Sequence, residues 1–320
     1  LSITHLEYLS AVASSPTWAA AASRVGVTPS ALSQGLRELE RRLGVTLFER
    51  QGRRRSLRAE AAEVVAYAER VLAQTLDLAR WAAQVGAGTG GRLRLGMIDA
   101  AAVHHFPEAV LAFRHQRPEV DLHLTVAPTG ELVSALRQGR LDLAVGVAPV
   151  EDEADLAPTH LLDEALYLYA PGHLDPPGQA GTDPAGWGPW VAFPAGSRTR
   201  HLVTRALRAL GARVEVVAES HQPEVLRALV RLGLGWAVLP APGQGTDRGP
   251  GPVLADPVLW RPLVALRRCD ALPHPAADAL LDRLVAAARA RGPGPGPRRG
   301  QPEGPPGQLS GRRDRDARHR

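Results

Sequence analysis

Residues 19–50, AAAASRVGVTPSALSQGLRELERRLGVTLFER, constrain the fold of this chain more than any other stretch. Two short helical patterns meet there at a tight turn. Trp18, Ala21, Ala22 and Val25 give the first pattern an apolar face. Gly26 ends it, where a left-handed residue costs little. Thr28 is a good N-cap, and Pro29 fits the first turn of the next helix, where its missing N–H is not needed. That helix is predicted over 29–43, with Leu32, Leu36, Leu39 and Leu43 as its buried stripe. Gly44 stops it. Upstream, Ile3, Leu6, Leu9 and Val12 recur at helical spacing over 3–14 until Pro16 interrupts them.

Ser30, Ser33, Gln34 and Arg37 lie off the leucine stripe. Short polar side chains at a helix start allow close approach to base edges in a major groove. Glutamine pairs bidentately with adenine, and arginine with guanine or phosphate, each good contact giving roughly 1–3 kcal/mol of discrimination. Beyond Gly44, Val45, Leu47 and Phe48 return the chain to the core. Arg50, Arg53, Arg54, Arg55 and Arg58 then cluster around Gln51-Gly52, the pattern of a small wing anchored by Leu57. Arginines there neutralise phosphates, which adds affinity rather than sequence choice. The expected DNA-binding set is Thr28, Ser30, Ser33, Gln34, Arg37, Arg50, Arg53, Arg54 and Arg55. A small helical packing or protein-interaction domain is the competing reading. The order of cap, polar face, stop glycine and basic wing favours double-stranded DNA.

This unit is under a fifth of 320 residues, so two or three domains are expected. Hydrophobic content of 44% suffices for real cores. Cys269 is the single cysteine, which excludes an internal disulfide and fits a cytoplasmic protein. No apolar run reaches membrane-spanning length, and no signal peptide and no membrane partner are expected. Every basic side chain apart from histidine is arginine. Residues 1–60 hold nine arginines against five acids, and residues 293–320 seven against three, leaving an acidic middle. A basic N-terminal module suits phosphate contact.

Residues 59–86 read as one long helix, with Val64, Val65, Ala68, Val71, Leu72, Leu76, Leu78, Trp81 and Val85 among its apolar positions. One small domain cannot cover such a helix, so it is expected to pair with a copy of itself. An ordinary core helix of the next domain is the alternative. Gly86, Gly88 and Gly91 match GxGxxG by spacing, yet they follow a helix and precede a strand, the reverse of a dinucleotide site. Residues 87–91 are therefore expected to be a hinge.

After the hinge the period changes. Leu93, Leu95 and Met97 alternate as a strand, followed by a helix over 103–116. Val120 to Val126 form a strand, 131–138 a helix and 141–147 a strand. A second unit follows, with strands at 166–170, 190–193, 214–218 and 236–239 and helices at 199–210 and 222–232. Leu263 to Arg267 and Ala277 to Ala290 supply a last strand and helix. The predicted class is α/β, a two-lobed domain over 92–292. Lobe I would span 92–165 and 266–292, and lobe II 166–265. Residues 293–320, of Pro, Gly, Arg and Gln, read as a disordered tail.

Ligands in such folds sit beyond strand C-terminal ends, at helix N-termini between lobes. Asp99, Ala100, Thr129, Gly130, Ser197, Arg198 and Ser220 are the expected effector-binding residues. Thr129, Ser197 and Arg198 or Arg200 suit an anion, whereas Asp99 and Glu131 suit an amine or a partly apolar ligand, so ligand charge stays open. Ser197, His221 and Asp99 could share the cleft, but no GxSxG surrounds Ser197. No zinc spacing surrounds Cys269 or His274, and no Walker-type loop is present. No enzyme activity, metal or cofactor is expected.

The chain resembles the LysR-type transcriptional regulators. The matching residues are Ala20-Ala21-Ala22, Val25, Thr28-Pro29-Ser30-Ala31-Leu32-Ser33, Leu39-Glu40, Leu43-Gly44 and Leu47-Phe48-Glu49-Arg50. Fainter echoes are Leu141-Asp142-Leu143-Ala144-Val145 and Gly233 to Pro240. The resemblance implies a winged helix-turn-helix over 1–58, a dimerising linker helix over 59–86 and a periplasmic-binding-like effector domain. It implies homodimers or homotetramers that exchange reading heads through the linker, bind promoters and answer to a small effector. RNA polymerase is a further expected contact. It puts Ser30, Ser33, Gln34 and Arg37 at DNA-facing positions, and Thr129 and Ser197 in cleft loops. Gln34 stands where the family usually has arginine. Gly35 costs about 1 kcal/mol of helix propensity and is expected to permit close backbone approach. Trp18 replaces a common phenylalanine, and Asp99-Ala100-Ala101-Ala102 lacks the hydroxyls usual in that loop. The expected function is a sequence-specific, effector-controlled DNA-binding regulator. A solute-sensing module without specific DNA binding is the alternative.

Overall fold

Burial of three leucines on one short helix organises the N-terminal unit. The computed structural model of the protein describes residues 1–51, 54–87, 91–148, 154–172, 183–242 and 251–291. Helices α1 (Ile3–Ala13), α2 (Trp18–Arg24) and α3 (Pro29–Leu43) precede a hairpin of β1 (Phe48–Gln51) and β2 (Arg54–Leu57). Leu32, Leu36 and Leu39 of α3 are fully buried against Leu6, Leu9, Ala21 and Ala22. Leu43, expected to complete that stripe, is 39% exposed instead. The helix ends there and Gly44 turns away at φ 70°, so Leu43 has no layer above it. The Glu40 carboxylate accepts from the backbone N–H of Leu47 (2.8 Å) and Phe48 (3.2 Å), tying the end of α3 to the wing. Trp18 meets the Phe48 ring edge-on at 5.1 Å, so the departure to tryptophan fills the core.

Helix α4 (Ala61–Ala87) has 27 residues, about 40 Å at 1.5 Å per residue. Ala61 and Ala68 belong to the N-terminal core. Between Glu69 and Arg80 it docks on the α/β domain. Arg268 pairs with Asp77, Arg80 donates to the Gly139 carbonyl (2.6 Å), and Gln138 donates to Glu69 (2.9 Å). Gly139, at φ 64°, lets the two surfaces meet, since a Cβ there would stand 3.1 Å from Ala73 Cα. Another part of α4 is open, with Tyr67, Leu76, Leu78 and Trp81 exposed. Part of the helix is thus packed on the next domain, and part is apolar and exposed.

The central sheet has the order β4-β3-β5-β10-β6-β9. Parallel strands β3 (Arg92–Met97), β4 (Asp121–Val126) and β5 (Leu143–Val147) build lobe I. Lobe II holds β7 (Trp190–Ala192), β8 (Val216–Glu219) and β9 (Ala237–Pro240). Two long antiparallel strands, β6 (Leu156–Tyr169) and β10 (Leu259–Arg268), cross from one lobe to the other. The predicted strands at 166–170 and 263–267 are only the ends of these. Pro158, Glu164 and Pro262 interrupt the apolar alternation and hide the rest. The expected lobe boundaries at 165/166 and 265/266 thus fall inside continuous strands.

The helices are α5 (Pro107–Gln116), α6 (Thr129–Arg137), α7 (Arg198–Ala209), α8 (Pro223–Arg231) and α9 (Pro275–Ala290). The helix expected over 103–116 is divided: Ala101–His105 form a π-turn, and α5 begins only at Pro107. Proline lacks the N–H to continue the first ladder and is at ease opening the second. Lobe I surrounds Leu93, Leu95, Phe106, Phe113 and Leu143, whereas lobe II has cores around Trp190 and around Leu226. Among the described residues no helix is long and apolar enough to cross a membrane. Arg53, hinge residues 88–90 and the tail over 293–320 lie outside the described residues.

Candidate functional site

The polar face of α3 is open. Ser30, Gln34 and Arg37 are exposed and Ser33 is half-buried. The Thr28 hydroxyl accepts from the Ala31 N–H at 3.2 Å, so its part in the expected set is to cap and orient the helix. Arg37 Nε donates to the Ser33 carbonyl at 3.3 Å, which lays the guanidinium along the exposed flank. Gly35 faces α1, where Tyr8 and His5 stand against it. A Cβ at that position would lie 2.7 Å from two ring carbons of Tyr8, so packing of α1 on α3 requires the glycine. In the wing, Arg50 is the register partner of Arg55 and Arg54 that of Gln51, so both strands of the hairpin carry arginine positions.

A cavity of about 470 Å³ opens between the lobes. Asp99, Ala100, Thr129 and Gly130 line it from lobe I, and Ser197 and Arg198 from lobe II. Ser220 does not line it. Its Oγ accepts from the Gln222 N–H at 3.1 Å, and the neighbouring His221 faces the cavity in its place. Thr129 is buried, with its Oγ1 accepting from the Val147 N–H at 3.1 Å. Ser197 caps α7 by accepting from the Arg200 N–H, also at 3.1 Å. Arg198 reaches across from lobe II, Nη1 donating to the Val147 carbonyl at 3.4 Å. Arg200 turns to the Phe193 carbonyl (2.8 Å) and Glu219 (3.3 Å). Ser197, His221 and Asp99 all line the cavity, but among the described residues no hydrogen bond joins them into a nucleophilic relay.

Along the cavity wall, which Arg261 and Thr199 help to line, runs a chain of polar groups that sequence reasoning missed. His105 Nε2 lies 2.7 Å from Glu164 Oε1. The other oxygen of Glu164 accepts from Arg261 at 2.5 Å, and Arg261 Nη1 donates to Thr199 Oγ1 at 2.8 Å. Glu164 and Arg261 sit side by side on the two crossing strands, so the chain links lobe I to the first turn of α7. Burial pushes the Glu164 carboxyl up. The charge of Arg261 and the hydrogen bond from His105 outweigh that, and its pKa falls to about 2. No local motif signals this group, since Glu164 is 59 residues from His105 and 97 from Arg261.

Two family descriptions cover this architecture. Residues 3–62 match the bacterial regulatory helix-turn-helix protein, lysR family, and residues 86–289 match the LysR substrate binding domain. The chain belongs to the LysR family of DNA-binding transcriptional regulators, with an N-terminal helix-turn-helix and an effector-binding domain. An uncharacterized HTH-type transcriptional regulator of Shigella flexneri, YfeR, is 26% identical over 88% of this chain and 92% of its own length. A full-length OxyR point variant from Pseudomonas aeruginosa is similar at a TM-score of 0.56 and 25% identity, covering 89% of this chain and 97% of that one. Full-length CbnR, solved in complex with its target DNA, shares the fold at a TM-score of 0.56 and 22% identity, over 90% of this chain and 100% of that one.

Proposed function

We propose that this regulator reads a promoter with the exposed face of α3 and is controlled by a small molecule bound between lobes I and II. Residues 1–58 form the reading head, 59–86 the linker helix and 92–292 the sensor. Ser30, Ser33, Gln34 and Arg37 contact base edges and nearby phosphates, Thr28 holds the helix start, and Arg50, Arg53, Arg54 and Arg55 meet the backbone. Asp99, Ala100, Thr129, Gly130, Ser197 and Arg198 surround the effector. The protein works in the cytoplasm as a homodimer or homotetramer, and the uncovered apolar residues of α4 support pairing there. One observation carries the reading. A capped helix with an outward polar face is joined through a docked helix to a cavity of about 470 Å³ lined from two lobes.

The test is a footprint on DNA flanking the gene, repeated across a salt series. If the head and wing meet six or more phosphates, affinity falls about a thousandfold between 50 and 200 mM salt. Equal affinity for the flanking fragment and for random DNA would overturn the promoter-reading role.

A further inference from the structure

The exposed row of α3 runs one turn beyond Arg37. At about 100° per residue, Ser30, Gln34, Arg37 and Arg41 fall within about 60° of one another, opposite the buried Leu32, Leu36 and Leu39. The two arginines of that row are held differently. Arg37 Nε donates to a neutral acceptor, the Ser33 carbonyl, at 3.3 Å, and among the described residues no carboxylate pairs with it. Arg41 is held by Glu38, one turn back. Its Nε and Nη2 donate to the two carboxylate oxygens at 2.8 and 2.6 Å. The oxygen that takes Nη2 also accepts from Arg42 Nε at 2.6 Å. Hydrogen bonds from Arg41, then from Arg42, pull the Glu38 carboxyl down to about 2, so it is ionised at neutral pH. The Arg41 side chain is 71% exposed, which leaves this cluster on the surface a duplex would meet.

We propose that Glu38 is a specificity-determining residue: it keeps the Arg41 fork, and Arg42 with it, from the DNA backbone, so that bases rather than phosphates decide where α3 binds. This rests on the reading of α3 as the DNA-facing helix. Carboxylate and phosphate take an arginine fork in the same way, through two parallel N–H donors. Glu38 therefore occupies the edge of Arg41 that a phosphate needs, and it leaves the three side chains with one net positive charge in place of two. Phosphate contacts raise affinity for every sequence alike, whereas base contacts separate one sequence from another. With Arg41 and Arg42 clamped, the choice of sequence falls to Ser30, Ser33, Gln34 and Arg37. Exposed ion pairs add little to folding stability, which leaves control of surface charge as the work of this cluster.

The test is fluorescence anisotropy of the full chain on a labelled random-sequence duplex and on the fragment flanking the gene, each across a salt series. Glu38→Gln removes the charge and leaves an amide of similar shape. None of the three side chains is buried, so the variants are expected to keep the fold of the head. One further phosphate contact steepens the slope of log affinity against log salt by about 0.9, which is about a threefold larger loss between 50 and 200 mM. Glu38→Gln should show at least that steepening on random DNA, bind it more tightly at low salt, and prefer the flanking fragment less than the parent does. In a chain carrying both Arg41→Ala and Arg42→Ala, the same change should leave the slope where it was. An unchanged slope in Glu38→Gln overturns the proposal, as does a steepening that persists without the two arginines, since that is plain removal of an acid. The slope on random DNA needs no operator. If it does not move while the parent still prefers the flanking fragment, Glu38 loses this role and promoter reading stands. If the parent shows no preference and neither Arg37→Ala nor Glu38→Gln alters binding, α3 is not the DNA-facing helix and both readings fall.

Discussion

The face of α3 and the walls of the interlobe cleft handle their polar side chains in opposite ways. On α3, Ser30, Gln34 and Arg37 point outward, and the fold asks little of them beyond helix geometry. In the cleft, Thr129 holds a strand end, Ser197 caps a helix, and Arg261 with Glu164 joins the crossing strands. Groups that read DNA must stay free to meet a partner far larger than themselves. Groups proposed to surround a small ligand lie between two packed lobes, and the buried ones, Thr129 and Arg261, would be costly without a partner. Substitutions on α3 should therefore separate function from stability, whereas substitutions around the cleft should mix them.

The harshest trial of that contrast is Glu164→Ala. It leaves Arg261 buried without its counter-charge and should cost about 3–5 kcal/mol of stability in urea denaturation. Acid does the same reversibly. The pKa of Glu164 is about 2 in the fold against 4.5 unfolded. Its contribution, on the order of 3 kcal/mol, is complete above pH 4.5 and is lost as pH falls toward 2. In Glu164→Gln that part of the pH dependence should disappear, and an unchanged profile would show that the pair contributes no linkage.

On the other side of the contrast, Arg37→Ala should weaken binding to a specific DNA fragment by about 1–3 kcal/mol. Its unfolding free energy should stay within about 0.5 kcal/mol of the parent. A large stability loss would mean that α3 is no freer than the cleft. Thr28→Ala, which removes the cap, should cost about 1 kcal/mol in thermal unfolding and blur the contrast at this one position. Gly35→Ala has the smallest effect. An exposed helical glycine would gain about 1 kcal/mol on this change, but here the new Cβ must displace the Tyr8 ring, so no rise in melting temperature is expected.

Much of the head was legible because its signals are short-range. Thr28, Pro29 and Gly44 bound a helix whose ends can be assigned to within a residue, and Leu32, Leu36 and Leu39 mark its inner face. The cleft was legible only as loop positions. Loops after strands could be named, and Asp99, Thr129 and Ser197 do line one cavity. Ser220 was misplaced because a single residue of rotation in the turn before α8 exchanges it with His221. Gly35 shows the same limit inside the clearest motif: its neighbour Tyr8 comes from a different helix.

The caps, the helical stripe and the alternation of strands and helices are written along the chain, and with them the order of head, long helix and two-lobed domain. Those properties depend on residues within a turn or two of one another. Three others arise only when distant segments pack. Strands β6 and β10 cross between lobes, Arg268 and Gly139 bring α4 onto lobe I, and Glu164 cancels Arg261. Charges and close approaches are set by distances in space between residues far apart in the chain. No periodicity along the chain encodes them.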